Sequence, residues 1–274
     1  MSRIIVEDHC RKIMAMTQRG KSMNRLNLST TLVLSMFLPG IIQATQTDPL
    51  AEAVNNPARS DADRQRDERS KPGQMMAFMG ASPGMIVLDV FSGGGYYSEL
   101  LSYVVGEDGQ VYAHTNNAYQ GWIGTQYDAR FADNRLPNVV THLAETKDLK
   151  LEDDSFDLAL MIMSYHDVYY TDSDWPAIDA KDFLSQIYDA IKPGGTLVVI
   201  DHAANAGTGH AVTQDFHRID PEFARQDFER IGFVFVEASE ALRNPEDDHG
   251  VSSFDPSIRG NTDKFAFRFS KPEG

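Results

Sequence analysis

Four of the eight histidines fall in one region of the chain: Tyr165-His166-Asp167, Asp201-His202, His210 and His217-Arg218. An imidazole titrates near neutral pH and suits general-base work. A lone histidine is more often a structural hydrogen-bonder, but four together with carboxylates point to catalysis or substrate contact. His166 is the first candidate base, His202 the second, with Asp167 beside them. Tyr165, His217 and Arg218 are candidate substrate contacts. The aromatic stretch Tyr165, Tyr169, Tyr170 and Trp175 could cover an apolar acceptor, or simply pack beneath a loop. Carboxylates at strand ends are common without metal, so no metal ligand is assigned.

Such residues need elements to bring them together. Residues 85–90 (MIVLDV) form a continuous apolar run, as in a parallel strand buried on both faces. Further strands are expected at 110–114, 139–143, 156–164, 196–201, 233–238 and 265–270. Helices are expected at 96–105, 119–132, 180–191 and 222–231. Strands alternating with helices give an α/β, doubly wound, mostly parallel sheet of seven strands. Ligands of such sheets bind outside the carboxyl ends of the strands, which is where the histidines follow strands four and five.

After the first strand comes Asp89-Val90-Phe91-Ser92-Gly93-Gly94-Gly95, opening a helix at Tyr96. Glycines permit positive φ and close approach of a ligand to the backbone. As a dinucleotide fingerprint the match is poor, because the third glycine would fall at Ser98. Later come Asp153-Asp154-Ser155-Phe156-Asp157 and Ile191-Lys192-Pro193-Gly194-Gly195-Thr196. The glycine loop, the Ser-Phe-Asp strand and the Pro-Gly-Gly turn, in that order and spacing, resemble the class I S-adenosylmethionine (SAM)-dependent methyltransferases over about residues 75–240. More narrowly the chain is similar to a group of exported bacterial methyltransferases of undefined function. The resemblance implies the Rossmann-like methyltransferase fold with an antiparallel last strand. It also implies SAM as cofactor, with Asp89 ordering the loop and reaching the SAM amino group, and Phe91, Gly93, Gly94 and Gly95 around the methionine part. Glu145 and Thr146 would meet the adenine. Most relatives carry an acid for the ribose hydroxyls after the second strand. This chain has His114-Thr115-Asn116-Asn117, leaving Thr115 and Asn116 as weaker hydrogen-bonders. One class of small O-methyltransferases holds magnesium where Asp167, Asp201 and His202 fall.

The formal charge is -15. Residues 1–44 hold six Lys/Arg against two Asp/Glu, so the remainder carries about -19. That acidity opposes a nucleic-acid partner and suits a small-molecule substrate. Cys10 is the sole cysteine, so residues 11–274 offer neither a disulfide nor a thiol nucleophile. Residues 26–42 are apolar, follow Arg19, Lys21 and Arg25, are broken by Pro39-Gly40 and precede Gln43-Ala44. Residues 1–44 therefore read as a signal peptide cleaved after Ala44, or an uncleaved N-terminal anchor. Residues 45–74 read as a linker and charged helix, and 75–274 as the methyltransferase domain. The expected location is periplasmic or secreted, the alternatives being inner-membrane anchored or cytoplasmic, with no stable membrane span unless the signal stays uncleaved. The expected activity is methylation of a small acceptor. The alternative is a catalytically inactive exported binding protein of the same fold. Oligomeric state is not legible.

Overall fold

The computed structural model describes residues 48–274; the expected signal segment lies outside them. Three helices come first: α1 (Pro49–Val54), α2 (Asp61–Ser70) and α3 (Pro72–Met79). Then follow β1 (Ile86–Val90), α4 (Tyr96–Val105), β2 (Gln110–Thr115), α5 (Asn117–Ile123), α6 (Gln126–Phe131), β3 (Val139–Leu143) and β4 (Phe156–Ile162). After a 3-10 turn at His166–Tyr169 come α7 (Ala180–Ala190), β5 (Ile191–His202), α8 (Thr213–Phe216), α9 (Pro221–Ile231), β6 (Val234–Ala238) and β7 (Lys264–Ser270). The sheet order is β3-β2-β1-β4-β5-β7-β6, with β7 antiparallel to both neighbours and the other six strands parallel. This is the seven-stranded layout expected from the sequence.

Alternation along the central strands splits the core into two layers. Leu158, Leu160, Val198 and Ile200 face one side, where Met75, Met76 and Met79 of α3 and Leu100, Leu101 and Val104 of α4 cover them. Ala159, Met161, Leu197 and Val199 face the other, under Phe183, Leu184 and Ile187 of α7 and Phe228 of α9. Strands buried on both faces cannot alternate polar with apolar, which is why β1 and β4 read as apolar runs.

Three stretches refine or depart from the sequence reading. Within residues 48–74 the expected charged helix forms as α2, and α1 precedes it in the stretch read as linker. Ser60 caps α2 by accepting from Asp63 N–H at 3.1 Å, and the buried Arg59 forms a two-pronged pair with Asp67 at 2.7 and 2.8 Å. Arg130 of α6 bridges Asp63 at 2.7 Å and also reaches Glu99 of α4 and the Gly94 carbonyl. Second, the helix expected over 119–132 is two helices. Gly124 sits at φ 60, ψ -138, outside helical space, and separates α5 from α6. Third, β5 begins at Ile191, paired with Phe156, so the Pro-Gly-Gly segment lies within the strand rather than before it.

Gly195 carries a steric constraint in that segment. A Cβ there would lie 2.6 Å from Ile191 Cγ2 and 2.8 Å from the Lys192 carbonyl. Gly195→Ala is expected to destabilise the domain by about 1–3 kcal/mol through that overlap. A thermal melt unchanged from the parent would contradict the close approach.

Candidate active site

The loop after β1 is built on unusual backbone. Phe91, Gly93 and Gly95 all have positive φ, at 51°, 59° and 76°. A phenylalanine in that region is rare and must be held there by its surroundings. Its ring is 5.1 Å from Tyr119 and 5.4 Å from Phe183, stacked on each, and 5.6 Å from Trp175. Its backbone N–H donates to His114 Nδ1 at 3.3 Å, while His114 Nε2 lies 3.0 Å from the Ala144 carbonyl. Burial pulls the His114 imidazole down to about 4, so it stays neutral, accepts through Nδ1 and donates through Nε2. One ring thus ties the ends of β1 and β2 to the loop after β3.

The three glycines divide their work. Gly93 and Gly94 line the cavity. Gly95 does not: a Cβ on it would meet Phe131 Cζ at 2.5 Å and Arg130 Cδ at 2.8 Å. It makes room for α6 rather than for a ligand. Asp89 lines the same cavity, is 3% exposed, and accepts from Ser98 Oγ at 2.6 Å. Burial pushes its carboxyl up to about 7. Ser92 Oγ is buried without a hydrogen-bond partner among the described residues. An unpaired hydroxyl beside a buried acid and a glycine turn is a fit for the polar amino-acid end of SAM.

Beyond β2, Asn116 caps α5 by accepting from Tyr119 N–H at 2.7 Å and also lines the cavity. Thr115 is fully buried and its hydroxyl turns back to the Asn116 carbonyl, so it is not among the cavity residues. Asn117 takes its place, donating through Nδ2 to Glu145 Oε1 at 2.5 Å. Glu145 and Thr146 both line the cavity. The sequence reading passed over Asn117, whose only signal was adjacency to Asn116.

At the other end lie the histidines. Asp201, with no exposure, accepts from His166 N–H at 2.8 Å and from His202 N–H at 2.7 Å, and faces His166 Nδ1 at 2.8 Å. His166 Nε2 lies 3.2 Å from Asp167 Oδ1. Burial opposes a charged ring here, but Asp167 and Asp201 outweigh it and hold His166 well above the usual histidine range. The Asp167 carboxyl, despite burial, is drawn down to about 2 by His166. With both nitrogens facing carboxylates, His166 has no free lone pair for a substrate proton. His202 is the reverse: burial and the neighbouring His166 hold it well below the usual range, and its Nδ1 is 2.7 Å from Thr262 Oγ1. His217 sits at φ 48, 5.5 Å ring to ring from His166.

His166, Asp167, His202 and His217 all line the cavity, as do Tyr170 and Trp175. Two other expected substrate contacts do not. Arg218 is fully buried, donating to the Ala203 and Val251 carbonyls and paired with Asp247 at 2.9 Å. Tyr165 is buried beneath α9, its hydroxyl donating to Asp227 at 2.7 Å. His210 stacks on Tyr169 at 4.7 Å, away from the cluster. The cavity, about 1760 Å³, also takes in Arg66 of α2 and Phe254 and Arg259 of the long β6–β7 connection, none of which the motifs flagged.

A sheet of this order, with its glycine loop opening onto one cavity, defines a class I SAM-dependent methyltransferase. The sequence model of the methyltransferase domain family matches residues 81–229, and the chain belongs to that family. No curated protein matches the sequence. Among solved structures it is similar to a SAM-dependent methyltransferase of Aquifex aeolicus at 20% identity, covering 82% of this chain and 99% of that one with a TM-score of 0.54. A chain of a Haloferax volcanii complex containing the Trm112 methyltransferase activator aligns at 17% identity over 78% and 94%, TM-score 0.55. The (4+2)-cyclase SpnF aligns at 18% over 82% and 92%, TM-score 0.52. At these identities the likeness is one of fold.

Asp89 carries a stability cost. Its folded value of about 7 lies above the unfolded value near 4, so the folded state binds the extra proton between them. Stability therefore falls as pH rises through that window and is flat above it. Asp89→Asn, which keeps an acceptor for Ser98, should stabilise the protein at pH 8 by up to about 4 kcal/mol and hardly at pH 4. Calorimetric melts at the two pH values would contradict this if the gain were the same at both.

Proposed function

We propose that this methyltransferase methylates a small-molecule acceptor in the cavity between the glycine loop and the histidine cluster. The observation that carries the reading is continuity: one cavity contains Asp89, Ser92 and Gly93 at one end and His166, His202 and His217 at the other. Asp89, Ser92, Gly93 and Gly94 would hold the amino-acid end of SAM, with Phe91, which lines the same cavity, beside them. Asn116 and Asn117 would meet the ribose, and Glu145 and Thr146 the adenine. When bound, SAM supplies an electrophilic methyl group on its sulfonium.

The chain's own residues then position the acceptor and take its proton. His202 is the group placed for that proton: its ring lines the cavity and its Nδ1 is occupied by Thr262, which fixes the ring. His166 and Asp201 hold His202 in place through the shared carboxylate. Tyr170, Trp175 and Phe254 give the acceptor an aromatic wall. The acidic surface would repel a polyanion, which favours a small molecule over a nucleic acid. We take the chain as exported on its N-terminal segment, acting in the periplasm or outside. Among the described residues no helix is long and apolar enough to cross a membrane.

A second reading has its own support. The end of β2 offers no carboxylate, and Asn116 is committed to capping α5. That favours a descendant of the fold that binds a ligand without transferring a methyl group.

Titration calorimetry with S-adenosylhomocysteine and a labelled-methyl assay over a panel of small acceptors separate the two. Methyl transfer that falls about 10²–10⁴-fold in His202→Gln, with S-adenosylhomocysteine affinity unchanged, is the expected result. Asp89→Ala should lose binding. Binding with no transfer to any acceptor would favour the second reading, and no heat at millimolar S-adenosylhomocysteine would remove the first.

A further inference from the structure

We propose that His166, Asp167 and His217 form a binding site for a divalent transition-metal ion of the zinc type, facing the acceptor end of the cavity. One donor atom from each of the three lies within 4.8 Å of the others. His166 Nε2 and His217 Nδ1 stand 3.2 and 3.9 Å from the same oxygen, Asp167 Oδ1. Ligand atoms about 2.0–2.1 Å from a tetrahedral ion are separated by about 3.3 Å. The trio is therefore close to a ligating triangle before any metal enters; small side-chain rotations close it, and the ion displaces the proton from His166 Nε2.

Two further observations point to a ligand there. His217 Nδ1 is buried and has no hydrogen-bond partner among the described residues. A buried ring nitrogen left unpaired is costly unless something else occupies it. His217 also holds a left-handed backbone at φ 48, ψ 51, a conformation that side chains other than glycine's adopt at a cost. Tyr170 at 4.7 Å and Phe254 at 4.8 Å clamp its ring so that it points at Asp167 and His166.

The surroundings also have the right second layer. Metal-bound histidines usually anchor their other nitrogen on a carboxylate, which fixes the ring and raises its basicity. Asp201 does this for His166 Nδ1 at 2.8 Å. Asp201 is not itself a ligand: its oxygens already serve two backbone N–H groups and that ring. His202, its Nδ1 on Thr262, is not among the clustered donors. The donor set is thus two imidazoles and one carboxylate. That set suits zinc and its neighbours, whereas magnesium and calcium prefer all-oxygen ligands. Three protein ligands leave coordination positions open. All three residues line the cavity, so those positions face the place where an acceptor's oxygen, nitrogen or sulfur would lie. The link to an acceptor rests on the methyltransferase reading; the metal site does not.

The test uses the full-length chain with Cys10→Ser, which removes the sole thiol, stripped by chelator and titrated with Zn²⁺ by calorimetry and with Co²⁺ by visible absorption. One equivalent should bind with micromolar or tighter affinity, and cobalt should give d–d bands of a low-coordinate nitrogen–oxygen site. His217→Ala, at a half-buried position, and the near-isosteric Asp167→Asn should each weaken zinc binding at least tenfold while retaining the parent's circular dichroism. His210→Ala and His249→Ala, outside the trio, should not change it. Absence of stoichiometric binding, or equal binding by the parent and His217→Ala, would overturn the proposal. Should both trio variants misfold, protection of His217 by Zn²⁺ from ethoxycarbonylation with diethyl pyrocarbonate, read by mass spectrometry on the parent, decides the matter in the same way. No SAM or acceptor is present, so a failure here leaves the methyltransferase reading intact.

Discussion

Asp201 is a carboxylate with no solvent at the end of a central strand, and a buried acid needs donors. It finds them in the backbone N–H of His166, the N–H of His202 and the His166 ring. Those contacts cross from the end of β5 to the turn after β4, so they fix two loops at once. The strands themselves are held in register by ordinary apolar packing. The placement of the histidines is not: it depends on one acid having nowhere else to turn. His114 plays the matching part at the far side of the sheet, where a neutral ring joins three loop ends. Of the residues that line the cavity, His166 and His202 hang from the first anchor and Phe91 from the second.

Much of this was readable from the residues. Strands buried on both faces announce themselves as apolar runs, and the Asp-x-Phe-x-Gly-Gly-Gly loop announces the first turn. What failed to show was partnership over distance. The charged helix α2 could be read from the sequence, but the ion pairs that bury Arg59 and engage Asp63 are invisible in a one-dimensional pattern. Arg218 looks like a substrate contact until Asp247, far along the chain, is seen to neutralise it. Tyr165 follows the fourth strand as a substrate residue would, yet turns under α9. Phe254 and Arg259 come from a connection with no periodicity at all. The break between α5 and α6 rests on one glycine whose ψ no sequence rule supplies.

Phe91 holds a backbone conformation that glycine adopts freely and a phenylalanine does not. The phenylalanine is tolerated because Tyr119, Trp175 and Phe183 surround its ring. The loop is thus fixed by an aromatic cluster, of which Phe91, Tyr119 and Trp175 line the same cavity as Ser92 and Gly93.

Arg130 has a consequence for how the chain must assemble. Its guanidinium joins Asp63, 67 residues earlier, to Glu99 and to the glycine loop. Asp63 of α2 therefore has no such partner until α6 has been synthesised. Closing contacts over such spans is slow compared with pairing neighbours. Order in the glycine loop thus depends on a side chain from outside its own short stretch of sequence.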